Sequence, residues 1–76
     1  MGTQVPTTNI KIIDHAESGK RIRGMRTRAG ISLKTLAIKL ELSSAYVSDL
    51  EHGRRNWTAN LFERSVKIIT NNRERQ

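Results

Sequence analysis

Residues 30–53 read GISLKTLAIKLELSSAYVSDLEHG, and this stretch decides the fold. The apolar residues of its first half are Leu33, Leu36, Ala37 and Leu40. They recur at the i, i+3, i+4 and i+7 spacing that gathers apolar side chains on one face of a helix. Ser32 stands directly before them as a candidate N-cap. The pattern therefore predicts a helix over residues 33–40 whose apolar face points into a core.

A second helix is predicted directly after it, over residues 44–52. Its core-facing residues are Val47 and Leu50. Either Ser43 or Ser44 caps this helix, since serine oxygens accept hydrogen bonds from the first free N–H groups. Gly53 ends it, because glycine adopts the left-handed conformation at a helix C-terminus without strain.

The connection between these two helices has the features of a helix-turn-helix. Ala37 is small where the helices meet, so the second helix can pack closely against the first. Leu42, in the short connection over residues 41–43, supplies an apolar side chain that points inward. Together with the two apolar faces, these features predict a helix-turn-helix.

One further helix is predicted on each side of this motif. Asp14 and Glu17 have the spacing of an N-cap and its N3 acid, so a helix begins there and ends before Gly30. Its apolar stripe consists of Ile22, Met25 and Ala29. The last helix begins after Thr58 as N-cap. Its predicted buried residues are Ala59, Phe62, Val66 and Ile69.

The same patterns divide the chain into three parts. Residues 1–13 show no helical period and form an N-terminal arm, which is either flexible or, through the β-prone residues 9–13, a strand. Residues 14–69 form the helix-turn-helix domain. Residues 70–76 are polar and are expected to form a frayed, basic C-terminal tail.

The composition favours a polyanion as the partner. The 76 residues include 14 Lys and Arg against 7 Asp and Glu, a formal net charge of +7 with a pI near 10.9. Such a field suits DNA, RNA or an anionic membrane. A membrane is disfavoured, because no apolar run approaches the ~20 residues that span a bilayer. One Phe and one Trp are also few anchors for a surface-lying helix.

An enzyme or a metal protein is not indicated. The chain has no cysteine, and its two histidines, His15 and His52, are far apart in sequence. Neither a disulfide framework nor a convincing metal site can be built from them. No nucleophile–base pair is evident either, so we expect a non-enzymatic protein that needs no cofactor, and no small-molecule ligand is evident.

Three stretches carry a family resemblance: GKRIRGMR at residues 19–26, GISLKTLA at 30–37 and SAYVSDLEHG at 44–53. Together they resemble the phage-repressor-like helix-turn-helix family, also called the XRE family. The resemblance implies an all-α, lambda-repressor-like bundle of four or five short helices. It also implies that residues 44–52 are the recognition helix, which lies in the major groove of double-stranded DNA.

The resemblance assigns base contacts to the exposed start of this recognition helix. The residues are Ser43, Ser44, Ala45, Tyr46, Ser48 and Asp49. Serine hydroxyls donate or accept hydrogen bonds, Ala45 fits against a thymine methyl group, and Asp49 can accept from a cytosine amino group. Tyr46 suits a phosphate or a base. The alternatives are that the serines only cap the helix and that Asp49 is solvated.

Phosphate contacts are expected from basic residues around the recognition helix. They are Lys34, Lys39, Arg54, Arg55 and Arg21. The alternative for each is a solvated surface charge. A different role follows from the resemblance for Arg26 and Glu51, which correspond to a structural ion pair of the family. Such a bidentate pair would hold the recognition helix against the first helix.

The sequence therefore predicts a sequence-specific regulator of transcription that binds DNA as a homodimer, in the bacterial cytoplasm or in a phage-infected cell. Three contexts remain open: a phage or mobile-element repressor, a restriction–modification controller, and the antitoxin of a toxin–antitoxin pair. Outside DNA regulation, the same fold could serve as a protein- or RNA-interaction module, which would not discriminate between duplex sequences.

Overall fold

The computed structural model describes residues 14–74, which form four helices and no strand. The helices are α1 (His15–Arg28), α2 (Leu33–Leu40), α3 (Ser44–Glu51) and α4 (Ala59–Glu74). The predicted all-α fold is confirmed, and α2 and α3 begin and end within one residue of their predicted bounds. The predicted N-terminal arm, residues 1–13, lies outside the described residues. No helix within residues 14–74 combines the length and the apolar character needed to cross a membrane.

Side-chain caps fix where the first three helices begin. Asp14 Oδ1 accepts from the Glu17 N–H at 3.0 Å, as the spacing of these two residues predicts. Ser32 caps α2 in the same way. For α3 the choice between two serines falls on Ser43, whose Oγ accepts from the Tyr46 N–H at 3.0 Å. Each cap satisfies one of the N–H groups that a helix start leaves without a partner.

The turn between α2 and α3 is made by a residue in an unusual conformation. Glu41 has φ 62° and ψ 40°, in the left-handed region that costs a side-chain-bearing residue ~1–2 kcal/mol. Its N–H donates to the Ile38 carbonyl at 3.0 Å, and the next N–H, of Leu42, donates to Ala37 at 2.9 Å. These bonds close the end of α2 and direct Leu42 against the core, where it is partly buried.

All four helices contribute to one apolar core, as do the loops before α2 and before α4. Its buried residues are Ile22, Ile31, Leu36, Ala37, Leu40, Val47, Leu50, Trp57 and Ile69. The core-facing residues predicted for α2 and α3 include four of the fully enclosed side chains, those of Leu36, Leu40, Val47 and Leu50. The helix-turn-helix is therefore held by its own apolar face and by α1 and α4 packed across it.

Trp57 fixes the loop that joins α3 to α4. Its indole Nε1–H donates to the Leu50 carbonyl at 3.0 Å, and its ring meets Phe62 edge-on at 5.8 Å between centroids. Its backbone N–H donates to His15 Nδ1 at 2.8 Å. The loop is thereby tied to α1, to α3 and to α4. These contacts support the adjoining residues 52–56.

The last helix differs from its predicted form in two ways. Ala59 is exposed rather than buried, and Ser65, which is not among the predicted buried residues, is fully buried. Ser65 tolerates burial because its hydroxyl donates to the Leu61 carbonyl one turn earlier, at 3.0 Å. The helix also continues to Glu74, so most of the predicted frayed tail is helical. The folded domain therefore extends beyond residue 69.

Candidate nucleic-acid interface

The outward face of α3 is made of small polar residues. Val47, Leu50 and Glu51 are buried, which turns the rest of the helix toward solvent. The residues predicted to contact bases are all on this outer side or at the cap; Ser43, Ser44 and Ala45 are exposed, while Tyr46, Ser48 and Asp49 are partly exposed. The Ser43 hydroxyl accepts from Tyr46 as the cap, and its own hydrogen remains available to a partner.

The loop after α3 folds two arginines back onto that helix. Arg54 Nε lies 3.0 Å from Asp49 Oδ1, and Arg55 Nε lies 3.6 Å from Asp49 Oδ2. The side chains of Arg54 and Arg55 are nevertheless 61% and 50% exposed. The carboxylate of Asp49, predicted as a base contact or a solvated group, thus has two basic partners within the chain. The spacing of these residues in the sequence does not predict this pairing.

Tyr46 completes the cluster. The guanidinium carbon of Arg55 lies 4.5 Å from the centre of the Tyr46 ring, a cation–π arrangement. The two side chains, together with Arg54 and Asn56, line a shallow surface depression. The structure therefore brings the aromatic residue of α3 and the basic loop into one continuous surface beside the small residues of the helix.

A comparison with families of known proteins adds an independent observation. The helix-turn-helix domain family matches residues 17–68, a range that contains all of α2 and α3. The chain belongs to this family. Membership supports DNA binding, since the helix-turn-helix places its second helix in the major groove. Comparisons with curated proteins and with solved structures gave no match.

An ion pair beneath the helix-turn-helix holds α3 in place. Arg26 Nε and Nη2 donate to the two carboxylate oxygens of Glu51 at 2.7 and 3.0 Å. Arg26 Nη1 also donates to the Ile31 carbonyl at 2.9 Å. The side chains are only 11% and 2% exposed, so this pair faces the interior and is not positioned to contact a ligand. It joins α1, the loop before α2 and the end of α3.

Gly19 is a second anchor of α3, and sequence reasoning missed it. A Cβ at this position would collide with the carbonyl oxygen of Leu50 and would lie 2.6 Å from that of Glu51. Only a glycine lets α1 approach the last turn of α3 so closely. In the sequence this glycine stands within a helical pattern, and nothing in that pattern distinguishes it from Gly24.

The basic residues predicted to contact phosphate do not form one surface in this helix-turn-helix domain. Lys34 and Lys39 are both exposed, but five helical positions separate them by about 140° around α2. Lys39 lines a depression with Ile68, Asn71 and Asn72 of α4. Arg21 lies about 160° around α1 from Gly19, on the side away from α3. Arg54 and Arg55 are the predicted phosphate residues that the structure places beside α3.

Proposed function

We propose that this helix-turn-helix protein is a sequence-specific regulator of transcription of the phage-repressor-like type. The observation that carries the proposal is the outward face of α3, which is lined by small polar side chains and flanked by Arg54 and Arg55. A major groove admits such a helix, and the flanking arginines would then contact the phosphates at the edge of the groove.

Base readout by this helix relies on short side chains. Ser44 and Ser48 have hydroxyl groups that can donate to or accept from base edges, and Ala45 offers a methyl group to thymine. The face has no Arg, Asn or Gln, the residues that make bidentate contacts with guanine or adenine. Specificity therefore rests on several modest contacts and on the shape of the DNA.

Affinity comes mainly from the phosphate backbone. The net charge of +7 favours association with any duplex, and the two loop arginines act where α3 enters the groove. The exposed starts of α2 and α3 add N–H groups and the positive ends of helix dipoles. Lys34, in the first turn of α2, belongs to the same proposed set.

Two copies would bind together on an operator. One domain of this size buries little DNA surface, and two copies on half-sites about 34 Å apart would multiply the discrimination. The bound dimer would then act by occupancy, blocking or assisting the polymerase.

Selection of bound sequences from a random duplex pool tests the proposal. We expect a consensus with two inverted half-sites, separated by one helical turn of DNA. The Ser44→Ala variant should select a different base at one position of each half-site while retaining non-specific binding. Binding that shows no consensus, or that prefers RNA, would overturn the proposal in favour of an interaction module built on the same fold.

Arg54→Ala should weaken binding to every duplex. The plot of log affinity against log salt concentration should lose about one unit of slope, because one phosphate contact disappears. Lys67→Ala is the matched control, since it removes one positive charge from an exposed position of α4. Titration of both variants at several salt concentrations measures the difference. An Arg54→Ala slope equal to that of Lys67→Ala would remove Arg54 from the contact surface.

A further inference from the structure

We propose that Asp49 is a specificity-determining residue that acts through Arg54 and Arg55 rather than by contacting a base. Its carboxylate holds both arginines against the recognition helix and offsets part of their charge. The arginines therefore bind phosphates strongly only when α3 is correctly seated in the groove. The inference rests on the proposed function and assigns this residue a role within the same site.

The geometry of the carboxylate supports this role. Each of its oxygens faces a different arginine, with Arg54 Nε at 3.0 Å from Oδ1 and Arg55 Nε at 3.6 Å from Oδ2. The Arg54 backbone N–H also donates to the Asp49 carbonyl at 2.8 Å. One residue of the last turn of α3 therefore holds the loop by its main chain and its side chain. Both carboxylate oxygens are thus directed at the loop arginines, and a cytosine amino group would have to share them.

The same contacts leave the arginines able to bind an anion. Arg54 donates to Asp49 through Nε, and the closest approach of Arg55 to Asp49 is also through Nε; within residues 14–72 the Nη atoms of neither arginine make a hydrogen bond. Four N–H groups of each guanidinium can thus still donate. Arg55 is further oriented by the Tyr46 ring at 4.5 Å. These contacts restrain both side chains, while their outer edges stay open to a bidentate phosphate contact.

The Asp49 carboxylate also acts through its charge. A negative group between two arginines reduces their attraction for the phosphates of any duplex. Because these charges are exposed, water and salt screen this reduction. The reduction applies to every duplex. The orientation of the two arginines strengthens binding only where the phosphates lie within their reach while α3 is correctly seated in the groove. Removing the carboxylate should therefore raise non-specific affinity and lower the preference for the correct site.

Asp49→Asn tests the inference. Affinity for a duplex of random sequence should rise about fivefold, and the salt slope should steepen by about one unit. The ratio of specific to non-specific affinity, measured with the duplex selected by the wild-type protein, should fall about tenfold. Thermal unfolding checks that the fold is retained, which we expect because Asp49 is partly exposed and its two ion-pair partners are exposed.

Two further variants separate this role from its alternatives. Glu63→Gln removes the same charge from an exposed position of α4 and should change both affinities less than twofold. In an Arg54→Ala background, Asp49→Asn should lose about half of its effect, since one tethered arginine is gone. An equal rise for Glu63→Gln would reduce the effect to net charge and overturn the inference.

Other results would overturn the inference in different ways. If Asp49→Asn altered the selected base at one position and left non-specific affinity unchanged, Asp49 would be a base-contacting residue. If neither affinity changed, the tether would have no role in binding. A wild-type protein without any duplex preference would instead refute the proposed function itself, before any variant is compared.

Discussion

Gly19→Ala is expected to destabilise the domain by about 3 kcal/mol, whereas Gly24→Ala, in the same helix, should stabilise it by up to ~1 kcal/mol. A methyl group at residue 19 would meet the carbonyl oxygens of Leu50 and Glu51. These are backbone atoms of α3, which cannot rotate aside, so α1 and α3 must separate. At residue 24 the nearest atom is the flexible end of Arg28, at 3.6 Å, and alanine simply favours the helix.

The pair makes a clean comparison because the substitution, the helix and the propensity term are the same. In a domain of this size each kcal/mol shifts Tm by about 4–8 °C, so the two variants should differ by more than ~15 °C in thermal unfolding followed by circular dichroism. Gly19→Ala should also weaken specific DNA binding more than non-specific binding, since it displaces α3. Equal melting temperatures would show that α1 and α3 are not in close contact.

Gly19 also shows where sequence reasoning stops. Periodicity determines which face of a helix is apolar, and for that reason the bounds and inner faces of α2 and α3 agree with the sequence patterns. The distance between two helices depends on how all four pack. A glycine that permits close contact therefore looks, in sequence, like one that merely weakens a helix.

Two other residues illustrate the same limit. Glu41 adopts the left-handed conformation that a sequence pattern assigns to glycine or asparagine, and only the closure of the α2–α3 turn imposes it. On α4, Ser65 is buried and the predicted Ala59 is not. Ser65 tolerates burial because a local hydrogen bond satisfies its hydroxyl. Both depart from propensity, and in both a hydrogen bond to a carbonyl of the same helix compensates for this.

Part of the candidate site could be predicted from the sequence. The small polar face of α3 and the two loop arginines are adjacent in the chain, so the helical pattern and the charge pattern place them together. The pairing of Asp49 with Arg54 and Arg55 could not be predicted, because these partners are reached only after the chain turns at Gly53 with φ 77°. Lys39 and Arg21 show the converse, since charge alone does not reveal which basic residues of a helix lie on the same side as α3.

The ion pair of Arg26 and Glu51 should contribute the largest single side-chain effect. Arg26→Ala and Glu51→Ala are each expected to cost about 3–5 kcal/mol, because each leaves the other charge buried without its partner. Arg26→Ala also frees the Ile31 carbonyl. Arg26→Lys should rescue little, since an ammonium group cannot make the two parallel bonds to Glu51 at 2.7 and 3.0 Å. Urea unfolding of the variants measures these differences.

A double-mutant cycle distinguishes a true pair from two independent losses. The Arg26→Ala/Glu51→Ala variant should be destabilised by clearly less than the sum of the single variants, and the apolar replacement Arg26→Met/Glu51→Leu should recover most of the stability. Additive losses would mean that each side chain acts through other contacts. A further outcome is that the apolar variant recovers stability without recovering specific DNA binding. That result would show that the ion pair orients α3 as well as filling the interior, because an apolar contact lacks the directional bonds that set the helix against α1.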